Sequence, residues 1–171
     1  MYLDLTDVLR TPGKTVERAI NIAPRMLDDI EVVEPITGVV RAMNARQNVV
    51  VNGKAQTSVT MQCGRCLQDF AQPLELELEA VAPMSFFRAL LPNLVVGELE
   101  EDEADEEIAS LFDENSLDVL ELIRQAAVLQ APRKPLCTAD CAGLPEARNY
   151  VETGDSRWDA LKNWKDYNGS A

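Results

Sequence analysis

The chain has 171 residues, 29 acidic side chains against 16 basic ones, a formal charge of −13 at pH 7, and no histidine. The missing imidazole excludes Ser-His and Cys-His nucleophilic pairs, histidine-rich catalytic zinc sites and the His-x-Glu deaminase signature, so thiols and carboxylates are the remaining catalytic groups. The acidity argues against tight direct binding of nucleic acid, which relies on Lys and Arg to neutralise phosphates.

This length suits a single domain over residues 1–171 with a core of its own. Met1-Tyr2-Leu3-Asp4-Leu5 has no basic segment leading into an apolar run, and no later run approaches a membrane span, so a soluble, cytoplasmic protein is expected. Tyr2 to Leu9 reads as a short ordered arm, with Pro12-Gly13 as a turn. Met26 to Glu34 is mixed and carries no clear period. From Ile36 to Met43 β-branched residues predict a strand, and Ala45-Arg46-Gln47-Asn48 its turn. Val49-Val50-Val51 opens a second strand, in which Asn52-Gly53 marks a hairpin turn or a bulge. Gln56 to Gln62 alternates polar with apolar. After Cys66 the alternation is strict: Leu74, Leu76, Leu78 and Ala80 point one way, Glu75, Glu77 and Glu79 the other.

Pro83 to Pro92 holds Phe86, Phe87, Leu90 and Leu91, an apolar clump expected to pack on the sheet. Residues 98–107 then hold eight acidic side chains and no basic one, which leaves −5 on the rest of the chain. Such self-repulsion predicts a mobile acidic insertion at about 97–114. Ser116 is the expected N-cap of the main helix, Leu117 to Gln130, whose broad apolar face includes Leu120, Ile123 and Ala127; Pro132 stops it. Near the end, Trp158, Leu161 and Trp164 suggest a short helix, with Trp158 turned inward.

All four cysteines fall into two close pairs, Cys63-Gly64-Arg65-Cys66 and Cys137-Thr138-Ala139-Asp140-Cys141. Two ligands on each of two tight turns fill a tetrahedron and leave no open position, so one structural zinc ion on Cys63, Cys66, Cys137 and Cys141 is expected. Gly64 would give the first turn freedom to aim backbone amides at the sulfurs. The second pair is one residue longer than the usual spacing, and free thiols are the plain alternative. A Cys-Gly-x-Cys also occurs in thiol–disulfide enzymes, where the first cysteine opens a helix and becomes a reactive thiolate. Strands are predicted on both sides of Cys63 and Cys66, which leaves a redox role for them as the runner-up. Shared ligation would gather Arg65, Arg133 and Lys134 into a small basic patch able to contact phosphate or an acidic partner, although ordinary charge balancing explains these residues as well.

The same residues carry a resemblance. Cys63-Gly64-Arg65-Cys66-Leu67 after a strand-like run, an acidic linker, the helix Leu117-Asp118-Val119-Leu120-Glu121-Leu122-Ile123-Arg124, and Ala131-Pro132 leading into Pro135-Leu136-Cys137 resemble the YceD family, described as large ribosomal RNA subunit accumulation proteins. Cys141-Ala142-Gly143-Leu144 and Asp155-Ser156-Arg157-Trp158 fit it too, so the likeness runs from about Leu3 to Trp164. Many relatives carry further cysteines just after the Gly-Leu, where this chain has Pro145-Glu146-Ala147-Arg148, so any metal here must rest on the four cysteines alone. The resemblance implies one long strand into the cysteines, which makes Asn52-Gly53 a bulge.

The expected fold is α+β: an antiparallel, barrel-like sheet over Ile36 to Ala82, one main helix, and two cysteine turns clamped by the zinc. The expected function, implied by the resemblance, is that of a non-catalytic ribosome-biogenesis factor supporting accumulation or processing of large-subunit ribosomal RNA. Its charge suits a basic ribosomal protein or a large-subunit precursor as partner, with direct RNA contact weak and no membrane involved.

Overall fold

The computed structural model describes residues 1–87, 109–144 and 157. In chain order its elements are β1 (Tyr2–Asp4), α1 (Thr6–Arg10), β2 (Thr15–Ile22), β3 (Met26–Leu27), β4 (Ile30–Glu31), β5 (Ile36–Asn44), β6 (Asn48–Gln62), β7 (Asp69–Pro83), β8 (Phe112–Asp113), β9 (Ser116–Asp118) and α2 (Val119–Gln130). The main sheet is antiparallel in the order β2-β5-β6-β7; β1, β9 and β8 form a second small sheet, and β3 and β4 a third.

The spine of the molecule is the β6–β7 hairpin, paired without interruption from Asn48 with Pro83 to Gln62 with Asp69. At about 3.4 Å per residue these fifteen-residue strands are about 48 Å long. β5 accompanies β6 only as far as Gln56, so the far ends of the hairpin run on as a two-stranded ribbon. The segment after β4 braces that ribbon, with Val32 bridged to Val59 and the Val33 amide donating to the Ser58 carbonyl.

The period of two along β7 places Leu74, Leu76 and Leu78 in the core and leaves Glu75, Glu77 and Glu79 outside. Ile20, Val40 and Val51 meet them on the same face, and Leu122, Ile123 and Ala126 of α2 pack over it. Phe87 and Phe112 lie edge to face at 5.6 Å and close one end of the core. Of the apolar clump after Pro83, Met84 and Phe87 are buried in a turn, while Leu90 and Leu91 lie outside the described residues.

The sheet is open and no barrel closes: among the described residues β2 pairs only with β5, and β7 only with β6. α2 takes the place of a further strand along β7. The Gln130 side-chain amide donates to the Glu77 carbonyl at 2.7 Å and accepts from the Glu77 amide at 2.8 Å, so one side chain satisfies both edge groups of that residue. The bulge expected at Asn52-Gly53 is also absent, since Arg41 pairs with Asn52 and Val40 with Gly53 in unbroken register. Glycine is needed there for space. A Cβ on Gly53 would overlap the Val39 carbonyl oxygen and lie 2.9 Å from Val40 Cα, and one on Gly38 would overlap the Lys54 carbonyl oxygen.

The main helix begins two residues later than expected. Ser116 to Asp118 is a strand, with Leu117 paired with Leu3, and the N-cap is Asp118, whose carboxylate accepts from the Leu120 and Glu121 amides. The acidic run 98–107 and the two tryptophans lie outside the described residues. The described chain resumes at Ala109, and Leu111 and Phe112, within the stretch assigned to the insertion, are buried in the core.

Candidate metal centre

The four cysteines meet at the free end of the long hairpin. Cys63 follows β6 and Cys66 sits three residues on, in a turn closed by the Cys63 amide donating to the Gln68 carbonyl and the Leu67 amide donating to the Cys63 carbonyl. Leu67, half exposed, takes the left-handed conformation that reverses the chain, with φ +60°. The second pair arrives after α2 ends at Gln130. Its approach is fixed where the Gly64 amide donates to the Pro135 carbonyl at 2.9 Å, and its turn where the Cys141 amide donates to the Thr138 carbonyl at 3.1 Å.

The sulfurs of Cys63 and Cys141 are 3.8 Å apart, those of Cys66 and Cys137 3.7 Å, and all four lie within 4.8 Å of one another. These separations are far too long for disulfides. They fit the edge of a tetrahedron, about 3.8 Å for sulfurs held about 2.3 Å from a central ion. Cys63 is buried and the other three are half-buried. Four soft donors in this arrangement could hold a metal ion.

The electrostatics of the thiols follow from the same geometry. Cys63 is pulled down to about 6, first by the amide of Cys66, then by those of Cys137 and Arg65. The Gln68 amide lowers Cys66, but burial and the neighbouring thiols of Cys63 and Cys141 outweigh it and leave Cys66 above its ordinary value. Cys137 is pushed up to about 12, chiefly by its hydrogen bond with Cys141 and then by burial. One thiolate therefore forms readily, and its charge makes a second one costly; a central cation removes that penalty.

Arg65 is brought to the second pair, as its place in the first turn implies, but its guanidinium is engaged. It donates to the Cys141 carbonyl at 3.2 Å and the Ala139 carbonyl at 3.4 Å, and so ties one cysteine turn to the other. Arg133 and Lys134 are exposed, and Lys134 is next in sequence to Pro135, the residue that accepts from Gly64. Gly64 has no left-handed conformation; that role belongs to Leu67 and, in the second loop, to Gly143 with φ +75°. Composition offered no sign of Leu67 or of the Pro135 carbonyl, because a leucine rarely adopts positive φ and a proline oxygen carries no side-chain signature.

Residues 51–165 match the family model described as large ribosomal RNA subunit accumulation protein YceD. The chain belongs to the YceD family. No curated protein and no solved structure matches it. In this YceD protein the matched stretch begins within β6 and takes in all four cysteines, so the cysteine cluster lies inside the family's own segment and β1 to β5 before it. The family's description places it in the accumulation of large-subunit ribosomal RNA. Among the described residues no helix is long and apolar enough to cross a membrane.

Proposed function

We propose that this chain is a non-catalytic, cytoplasmic factor in large-subunit ribosomal RNA accumulation or processing, and that Cys63, Cys66, Cys137 and Cys141 hold one structural zinc ion. The observation that carries the metal reading is the pair of sulfur separations, 3.7 and 3.8 Å, which suit a tetrahedral zinc site. With four protein ligands the ion keeps no position for substrate or water. When bound it supplies a crosslink between the hairpin tip and the segment after α2. Zinc is favoured over an iron–sulfur cluster because sulfurs this close enclose one ion.

The working contact is with a basic ribosomal protein or the precursor particle that carries it. The chain reads as one domain over residues 1–171, and its acidic insertion steers such a partner in over a screening distance of about 10 Å. RNA contact is confined to the neighbourhood of Arg133 and Lys134, beside the Arg65 clamp. The test is elemental analysis of the purified protein, together with recovery of its partners from its own cells at low and high salt. One zinc per chain and salt-sensitive capture of basic ribosomal proteins are expected. A metal-free protein of unaltered thermal stability sinks the zinc reading, and tight capture by naked precursor RNA sinks the protein-contact reading.

A thiol–disulfide role has one observation in its favour, the lowered Cys63 thiol. Against it, Cys63 is fully buried and opens no helix. Insulin reduction abolished by Cys63→Ser, in a protein without zinc, would put the redox role first.

A further inference from the structure

The register of the main sheet sorts its outer face into rows. Met43, Val50 and Val81 are cross-strand neighbours and form an apolar row at one end. Arg41 lies between Glu17 and Asn52 in the next row, with Glu79 beyond, and the Arg41 guanidinium is paired with Glu17. Then come Val39, Lys54 and Glu77, the last two ion-paired at 3.8 Å, and finally Gln56 and Glu75. The face is not flat: a cavity of about 700 Å³ opens between Val39, Gln56 and Glu75, with the strand backbones as its floor.

Two features of this face are not taken up among the described residues. Val81, Val39 and Met43 are 55%, 39% and 37% exposed. Glu75 and Glu79 make no ion pair among the described residues, whereas Glu17 and Glu77 on the same face do. From Glu75 to Val81 the strand spans about 20 Å, the length of a helix of about thirteen residues. The carboxylates repel phosphate and disfavour a second copy of this acidic chain, while a cationic protein segment matches them.

We propose that the outer face of β5, β6 and β7 docks a basic amphipathic segment of a protein partner, with its lysines or arginines on Glu75 and Glu79 and its aliphatic side chains on Val39, Met43 and Val81. This rests on the proposed contact with a basic ribosomal protein, and assigns the surface that makes it.

The experiment uses the full chain with its metal and three probes: a short amphipathic helical peptide of lysine and leucine, a lysine homopeptide, and an RNA hairpin. Amide shifts on adding the amphipathic peptide are expected to change along β5, β6 and β7. The double variant E75Q/E79Q should bind it about tenfold more weakly at low salt, with a flatter salt dependence. Val81→Ser should weaken it severalfold with the salt dependence kept, and should leave the lysine homopeptide unaffected. The control pair D7N/E114Q, exposed but off this face, should change affinity by about twofold or less. Equal weakening by the control pair, or shift changes elsewhere, overturns the assignment of the face but leaves the protein-contact reading intact. Binding of the RNA hairpin with no binding of either peptide overturns both.

Discussion

At the scale of single residues, the protons of the cysteine cluster would set how readily it takes a metal. At neutral pH Cys63, held at about 6, is already a thiolate, while Cys66 and Cys137 lie above their ordinary values and keep their protons. A metal held by all four sulfurs must displace at least those two protons, and each displaced proton multiplies the apparent affinity tenfold per pH unit. Zinc affinity is therefore expected to climb at least about a hundredfold per unit between about pH 7 and 8.5, and to steepen below about 6, where Cys63 also takes a proton. Competition against a chelating dye measures this; a slope of tenfold per unit or less would mean the thiols do not act as a cluster. In the metal-free chain Cys63 is a depressed group, so its contribution to stability is complete above its unfolded value and is lost as pH falls through about 6. The clustering of Cys63, Cys66, Cys137 and Cys141 was legible in the sequence because they fall in two close pairs. The Arg65 clamp was not, because its partners are backbone carbonyls, which every residue has.

At the scale of elements, strict alternation carried the reading and weaker alternation hid what it should have shown. β7 was legible because Leu74, Leu76 and Leu78 are all buried opposite exposed glutamates. β2 was not, because only Ile20 and Ile22 of its eight residues are buried and its other core-side positions lie at the sheet's rim. Leu117 fits a helical face by spacing, yet its pairing with Leu3 makes it part of a strand and hands the cap to Asp118. Glycine shows the same ambiguity. Gly53 suggested a bulge, whereas the requirement is that β5 and β6 approach too closely for a side chain. Gly53→Ala must push backbone atoms apart and is expected to cost about 2–3 kcal/mol. Gly64→Ala, whose Cβ would sit at an ordinary 3.6 Å from the Pro135 carbonyl oxygen, should change stability by about 0.5 kcal/mol or less. Urea unfolding of the two variants decides this, and equal losses would refute the close-approach account.

At the scale of the whole molecule, the cysteine cluster and the hydrophobic core are separate parts of the structure. The core is built from the inner face of the sheet, the β1-β9-β8 sheet, α1 and α2, and none of the four cysteines belongs to its contiguous cluster. The segment from Pro132 to Leu144 contributes no buried apolar residue. It is held to the hairpin tip by the Gly64–Pro135 hydrogen bond, the two Arg65 contacts and the sulfurs. With so little buried surface, those few bonds would hold the segment only while a bound ion supplied binding free energy. Removal of the metal is therefore expected to free this segment and leave the sheet folded. Hydrogen exchange on the chelated protein should show the Gly64, Arg65 and Cys141 amides losing protection while those of Val40, Val51 and Leu76 keep theirs. Limited proteolysis should cut between Ala131 and Leu144 before it cuts β6 or β7. Loss of protection across the sheet at the same chelator concentration would make the ion a keystone of the entire fold, and the separation argued from the core would fall.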